Sequence, residues 1–136
     1  MSFILAARAL FAVLFVTVAW LILTPNPQDT EAGMDIARWI AKALFGDPDL
    51  GDKVAHVSAF AALAGTAALG RLRILGSGAL MVAALSLYGG ALEIGQLLGG
   101  VRDADWMDAL ADALGAVAAY PAAAFLAGLT RRGPMA

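Results

Sequence analysis

The sequence has no cysteine and a single histidine, His56. The first absence removes a disulfide framework, a thiolate metal site and a cysteine nucleophile together. Charge is also scarce: 15% of the 136 residues are Asp, Glu, Lys or Arg, and the net charge is −2. A soluble domain carries roughly 25% charged residues. No segment gathers Lys and Arg into a stripe, so the expectation is no nucleic-acid partner. Long-period repeats and extended low-complexity tracts are missing too, which leaves one domain over residues 1–136.

What is present is apolar. Hydrophobic residues make up 61% of the chain and the mean hydropathy is +0.79. They collect into four runs, at 3–23, 54–69, 74–98 and 106–129. A spanning helix needs about 20 residues, so the first, third and fourth runs qualify outright. The second gives only ~24 Å of helix, and it spans if Asp52 and Lys53 start the helix among the headgroups. The first run lacks a small-x-small cleavage site near Leu21-Ile22-Leu23-Thr24-Pro25 and is read as a retained helix, not a signal peptide.

Between the first two runs, Ile36, Trp39, Ile40, Ala43 and Leu44 recur at helical spacing, with Asp35, Arg38 and Lys42 on the other face. Pro25 and Pro27 end the helix before it, and Gly46 offers a stop after it. The spacing predicts an amphipathic helix over 31–45, lying flat on the membrane surface or folded over the bundle. The expected fold is therefore an all-α membrane protein, a four-transmembrane-helix antiparallel bundle with one extracytoplasmic interfacial helix. In the fourth run, Ala111, Gly115, Ala119, Ala123 and Ala127 form a small-residue stripe that permits close packing. Gly89, Gly90 and Gly95 in the third run are its expected partners.

Four spans put the termini and the turn at 70–73 on one side, with Arg8, Arg71, Arg73, Arg131 and Arg132 and no acid. The other side holds Arg38, Lys42, Lys53 and Arg102 together with eight acids. Excess Lys and Arg in short loops marks the cytoplasmic face. The expectation is that both termini are cytoplasmic and the polar groups of the other end face outward.

Carboxylates are costly inside a bilayer, so each one in a span is a functional candidate. Glu93 lies ~8 Å below the end of the third run and Asp112 ~9 Å below the start of the fourth. Asp108 and Asp112 share a helix face four residues apart. His56 opens the second run, Gln96 follows Glu93 by one turn, and Arg102 sits in the short loop above them. Asp105 and either Asp49 or Asp52 are positioned to cap helix starts. Such a set can hold a proton for acid–base work. It can also bind a hard divalent cation through carboxylates and one imidazole, or grip a polar headgroup. Asp112 is further placed to share a helix-locking hydrogen bond with Glu93, and Lys53 to snorkel to the headgroups.

The ordered motifs Asp52-Lys53-x-x-His56, Glu93-x-x-Gln96 and Arg102-x-x-Asp105-x-x-Asp108, followed by Gly115, resemble the VanZ-like family of small membrane proteins over about residues 51–118. One departure is Asp112, which stands where that family usually has asparagine. The resemblance implies a multi-pass protein of the bacterial envelope; its namesake is linked to resistance to teicoplanin, a lipoglycopeptide that acts at the outer membrane face. On that basis the ligand-binding candidates are Asp52, His56, Glu93, Gln96, Arg102, Asp105, Asp108 and Asp112. Three functions fit. The first is a binding module for a lipid-linked or acylated molecule among the membrane lipids. The second is an integral-membrane enzyme with His56, Glu93, Asp108 or Asp112 as acid, base, nucleophile or metal ligand. The third is a small transporter or partner subunit.

Overall fold

The computed structural model describes residues 2–25, 30–100 and 105–129. Among these the chain is all-helical, with no strand: α1 (Phe3–Leu23), α2 (Glu31–Phe45), α3 (Gly51–Leu69), α4 (Gly78–Gly99) and α5 (Trp106–Leu129). Ser2 and Ser77 cap α1 and α4 by accepting the backbone N–H of Leu5 and Leu80, each at 3.3 Å. Gly46 and Gly100 end α2 and α4 in the left-handed conformation, at φ +76° and +62°. In that conformation a side chain is strained and glycine is at ease.

Three helices, α1, α4 and α5, are long and apolar enough to cross a membrane. They leave large side chains such as Val13, Val16, Leu87, Leu98, Leu114 and Phe125 exposed. α3 is less apolar, and its position supplies the reason. It lies at the centre of the molecule, packed on α1, α2 and α5, with Phe60, Leu63, Ala64 and Ala67 fully buried. A helix enclosed by other helices does not need a lipophilic surface of its own.

Interhelical contacts fix the directions. Arg8 Nε near the start of α1 donates to the Gly70 carbonyl at the end of α3 (2.8 Å), and Val18 packs on Phe60. Tyr120 late in α5 donates to the carbonyl of Leu72, just past α3 (2.6 Å). α3 and α5 therefore run parallel, with α1 and α4 antiparallel to both. The apolar core, built on Leu63, Met81, Leu85, Ala116 and Tyr120, fills the half of the bundle near Gly70. Toward the middle, Tyr88 stacks on Phe15 with ring centroids 4.1 Å apart, and its hydroxyl donates to the Phe15 carbonyl at 2.7 Å.

Several expectations are corrected. The third apolar run starts at 74, but the helix begins at Gly78. Ile74 and Ser77 close a tight turn with two backbone hydrogen bonds (3.2 and 2.8 Å), and Ser77 then caps α4. Neither Asp49 nor Asp52 caps α3; Asp47 accepts from the Asp49 N–H at 2.9 Å, capping the single 3₁₀ turn Pro48–Leu50 that leads straight into α3. Gly115 of the α5 stripe packs on α3, where a Cβ would overlap the Val57 carbonyl and approach Ala61 N to 3.0 Å. Of the α4 glycines, Gly89 meets Asp112 of α5, Gly95 faces Leu23 of α1 and Gly90 has nothing within 4 Å. α2 meets the bundle through the buried Ala37 and Ala41, flanked by the half-buried Met34 and Ile40. Ile36, Trp39, Leu44 and Phe45 are exposed.

Candidate functional site

Titratable groups from three helices meet at the end of the bundle opposite Gly70. Each is placed by a backbone feature. α3 leaves the 3₁₀ turn at Gly51, where a Cβ would sit 2.7 Å from the Arg38 side chain and 2.9 Å from its backbone. This close approach seats the first turn of α3, with Asp52, Lys53 and His56, beneath α2. α4 brings Glu93 and Gln96 to its inner face, both buried. α5 starts under Asp105, whose Oδ1 accepts the Met107 N–H at 2.9 Å, and turns Asp108 and Asp112 inward.

Asp112 is fully buried. An ionised carboxylate there is strongly disfavoured without a partner, and His56 provides one: its Nδ1–H donates to Asp112 Oδ1 at 2.9 Å. Asp112 reaches that place because Gly89 of α4 gives way; a Cβ on Gly89 would lie 2.5 Å from Asp112 Oδ2. The expected hydrogen bond between Glu93 and Asp112 is not the one formed. Glu93 Oε2 accepts the backbone N–H of Asp105 instead, at 3.3 Å, which ties α4 to the entrance of α5. Gln96 Nε2 donates to the Ile22 carbonyl at 2.7 Å and joins α4 to the end of α1.

Lys53 was not among the ligand-binding candidates, yet it is the hub of the outer layer. Its ammonium bonds Asp105 Oδ2 at 2.6 Å and Asp108 Oδ1, and lies 3.6 Å from Asp52 Oδ2. The signal in the sequence is its place in the motif, directly after Asp52 and three residues before His56 in a helix start. Burial opposes its charge, but the bonds from Asp105 and Asp108 and the nearby negative charge outweigh it and hold the ammonium well above its usual pKa. In return, Lys53 and the Met107 N–H hold the Asp105 carboxyl below the usual range.

Seven of these groups are thus brought together: Asp52, Lys53, His56, Glu93, Asp105, Asp108 and Asp112. Arg102, expected above the cluster, lies outside the described residues. Two overlapping sets have the spacing of metal ligands, Asp52–His56–Asp108 and His56–Glu93–Asp112, with the three ligand atoms of each set within 4.8 Å of one another. Among the described residues, Glu93 Oε1 and Asp112 Oδ2 are buried and accept no hydrogen bond.

Beside the cluster lies a cavity of about 310 Å³ between α1, α2 and α3. Val18 and Ile22 of α1, Met34, Ala37 and Ile40 of α2, and Val54 and Ala59 of α3 form apolar walls, while Asp52, His56 and Gln96 line it with polar groups. The sequence offered the polar residues but not the cavity, because its walls come from helices far apart in the chain. Comparison with protein-family models, with curated proteins and with solved structures returned no match.

Proposed function

We propose that this chain is a VanZ-like protein of the bacterial inner membrane that holds an amphiphile, a lipid-linked or acylated molecule, in the cavity between α1, α2 and α3. In this reading α1, α3, α4 and α5 span the bilayer and the Arg8, Arg71 and Arg73 end faces the cytoplasm. The exposed Ile36, Trp39, Leu44 and Phe45 of α2 rest in the outer interface, where a helix with one bulky apolar face is at home. The cavity then opens at the level where lipid chains meet headgroups.

The observation that carries this reading is an apolar space ending on buried polar side chains. At about 310 Å³ the cavity is at the lower end of the ~300–1,000 Å³ typical of small-molecule sites. Its walls suit an acyl chain, and Asp52 and His56 suit a headgroup rich in hydrogen-bond donors, such as hydroxyls or an ammonium. Modulation of susceptibility to a lipoglycopeptide such as teicoplanin follows only through the family resemblance.

The test is saturable binding of a dansyl-labelled alkylamine by the detergent-solubilised protein. Gly33 on α2 lines the cavity, and a Cβ there meets nothing within 4 Å, so Gly33→Leu fills the space without a clash. Gly33→Leu and His56→Ala should each weaken binding by ~10-fold or more, about 1.4 kcal/mol. Equal binding by wild type and both variants refutes the proposal.

A further inference from the structure

We propose that His56, Glu93 and Asp112, one from each of α3, α4 and α5, form a binding site for a divalent transition-metal ion of the manganese–zinc type. The site goes beyond the amphiphile reading and does not depend on it. One ligand atom from each lies within 4.8 Å of the other two. The 2.9 Å hydrogen bond between His56 Nδ1 and Asp112 Oδ1 would be exchanged for metal bonds, the ring proton moving to the other nitrogen if Nδ1 is the ligand. Metal bonds of roughly 2.0–2.2 Å bring tetrahedral ligands to about 3.4 Å apart, a contraction that side-chain rotation can supply.

The independent observation is the state of the two acids. Glu93 is 5% exposed and Asp112 0%, and among the described residues Glu93 Oε1 and Asp112 Oδ2 accept no hydrogen bond. Asp112 Oδ2 lies against Gly89, one turn before Glu93 on the same face of α4. Two buried acceptors on adjoining helices, both lacking a donor, call for a proton, a water or a cation. The His56 nitrogen converges on them with no need to donate to both, which favours a cation. Lys53 does not fill that need, because Asp105, Asp108 and Asp52 hold it in the outer layer.

Charge and donor type then select the occupant. Two carboxylates and a neutral imidazole balance an ion of charge +2. One nitrogen and two oxygens suit Mn²⁺, Fe²⁺ or Zn²⁺ better than Ca²⁺ or Mg²⁺, which favour all-oxygen shells. The alternative set, Asp52–His56–Asp108, is less suited, since the Lys53 ammonium stands among its carboxylates. Three protein ligands leave at least one coordination position open, the pattern of reactive rather than structural sites. His56 also lines the cavity, so the ion and a bound headgroup would be neighbours.

The experiment uses chelator-treated full-length protein in detergent, with Co²⁺ as the optical probe. The expected result is one Co²⁺ per chain, with visible d–d absorption that Zn²⁺ abolishes by displacement. Glu93→Gln and Asp112→Asn should each weaken Co²⁺ binding by more than the ~10–100-fold typical of losing an outer-shell partner. Glu31→Gln, at an exposed acid of α2, and Gly33→Leu should leave it unchanged, which separates this site from surface acids and from the amphiphile cavity. Helicity and thermal melting identify any variant that fails to fold, and the remaining one then decides. As a variant-free check, pulsed electron paramagnetic resonance of bound Mn²⁺ should show coupling to one imidazole nitrogen. No stoichiometric ion in the wild type overturns the proposal, as does binding that survives both Glu93→Gln and Asp112→Asn or that is lost equally in Glu31→Gln.

Discussion

Gly89 and Gly90 are neighbours in α4, yet a methyl group added to each meets opposite surroundings. At Gly90 it finds nothing within 4 Å; at Gly89 it sits 2.5 Å from Asp112 Oδ2, 2.7 Å from Asp112 Cβ and 3.0 Å from Cγ. Replacing glycine by alanine inside a helix gains up to ~1 kcal/mol at either position, so that gain cancels when the two variants are compared. What remains is the fit against α5. Overpacking a closed interface costs ~1–3 kcal/mol. Asp112 is fully buried and cannot swing aside, so relief comes by pushing it off His56, at a further cost of up to ~3 kcal/mol for a charge-assisted hydrogen bond. Gly89→Ala should therefore be less stable than Gly90→Ala by ~1–6 kcal/mol, read from equilibrium unfolding in mixed micelles with increasing dodecyl sulfate. Gly90→Ala should match or exceed the wild type. Equal stability of the two variants would refute the packing of Asp112 against α4, and the geometry of the site would fall with it.

Lys53→Met leaves Asp52, Asp105 and Asp108 without their shared cation and should destabilise the protein by ~1–3 kcal/mol; an unchanged unfolding midpoint contradicts the hub role. The same network sets a pH window. Asp105 has its pKa lowered on folding, so its contribution is present above the ordinary carboxylate range and is lost as pH falls through the folded value. Lys53 has its pKa raised, so its contribution persists through neutral pH and fades only as pH rises past the ordinary lysine value toward the folded one. Lys53 faces Asp52, Asp105 and Asp108. Asp105→Asn should therefore flatten the acid limb of the stability profile and leave the neutral region unaltered; an acid limb identical to wild type counts against the pairing. Tyr120→Phe removes the hydroxyl that donates to the Leu72 carbonyl and should cost ~0.5–1.5 kcal/mol. It lies at the far end of the bundle, so alkylamine and Co²⁺ binding should be untouched.

Helical order and the level of the polar groups were legible in the sequence because both depend on position along a helix, which rises by a fixed ~1.5 Å per residue. That arithmetic grouped His56, Glu93, Asp108 and Asp112 before any contact was known. Partner choice was not legible, because it depends on how each helix is rotated and which helix it meets. Glu93 and Asp112 looked like a pair, but Asp112 turned to His56 and Glu93 to the Asp105 backbone. The stripe through Gly115 announced a close approach without naming α3 as the other side. In α2, periodicity picked out the bulky apolar residues, of which Ile40 is half-buried, whereas the bundle buried Ala37 and Ala41, the side chains small enough to let the helices touch.

The parallel pairing of α3 and α5 has a consequence for how the chain is built. α3 is made well before α5, and it carries Lys53 and His56 at one end and an apolar face around Phe60 and Leu63 that α5 helps to cover. Until α5 arrives, Asp105, Asp108 and Asp112 do not yet exist to meet those charges. α3 is also the least apolar of the four long helices, so an apolar environment alone holds it poorly. Its secure placement is thus deferred until α5 is made, and the polar cluster closes in the same event. A chain interrupted before α5 would leave Lys53 and His56 without the acids, and Phe60 and Leu63 without the cover, that the last helix and its entrance supply.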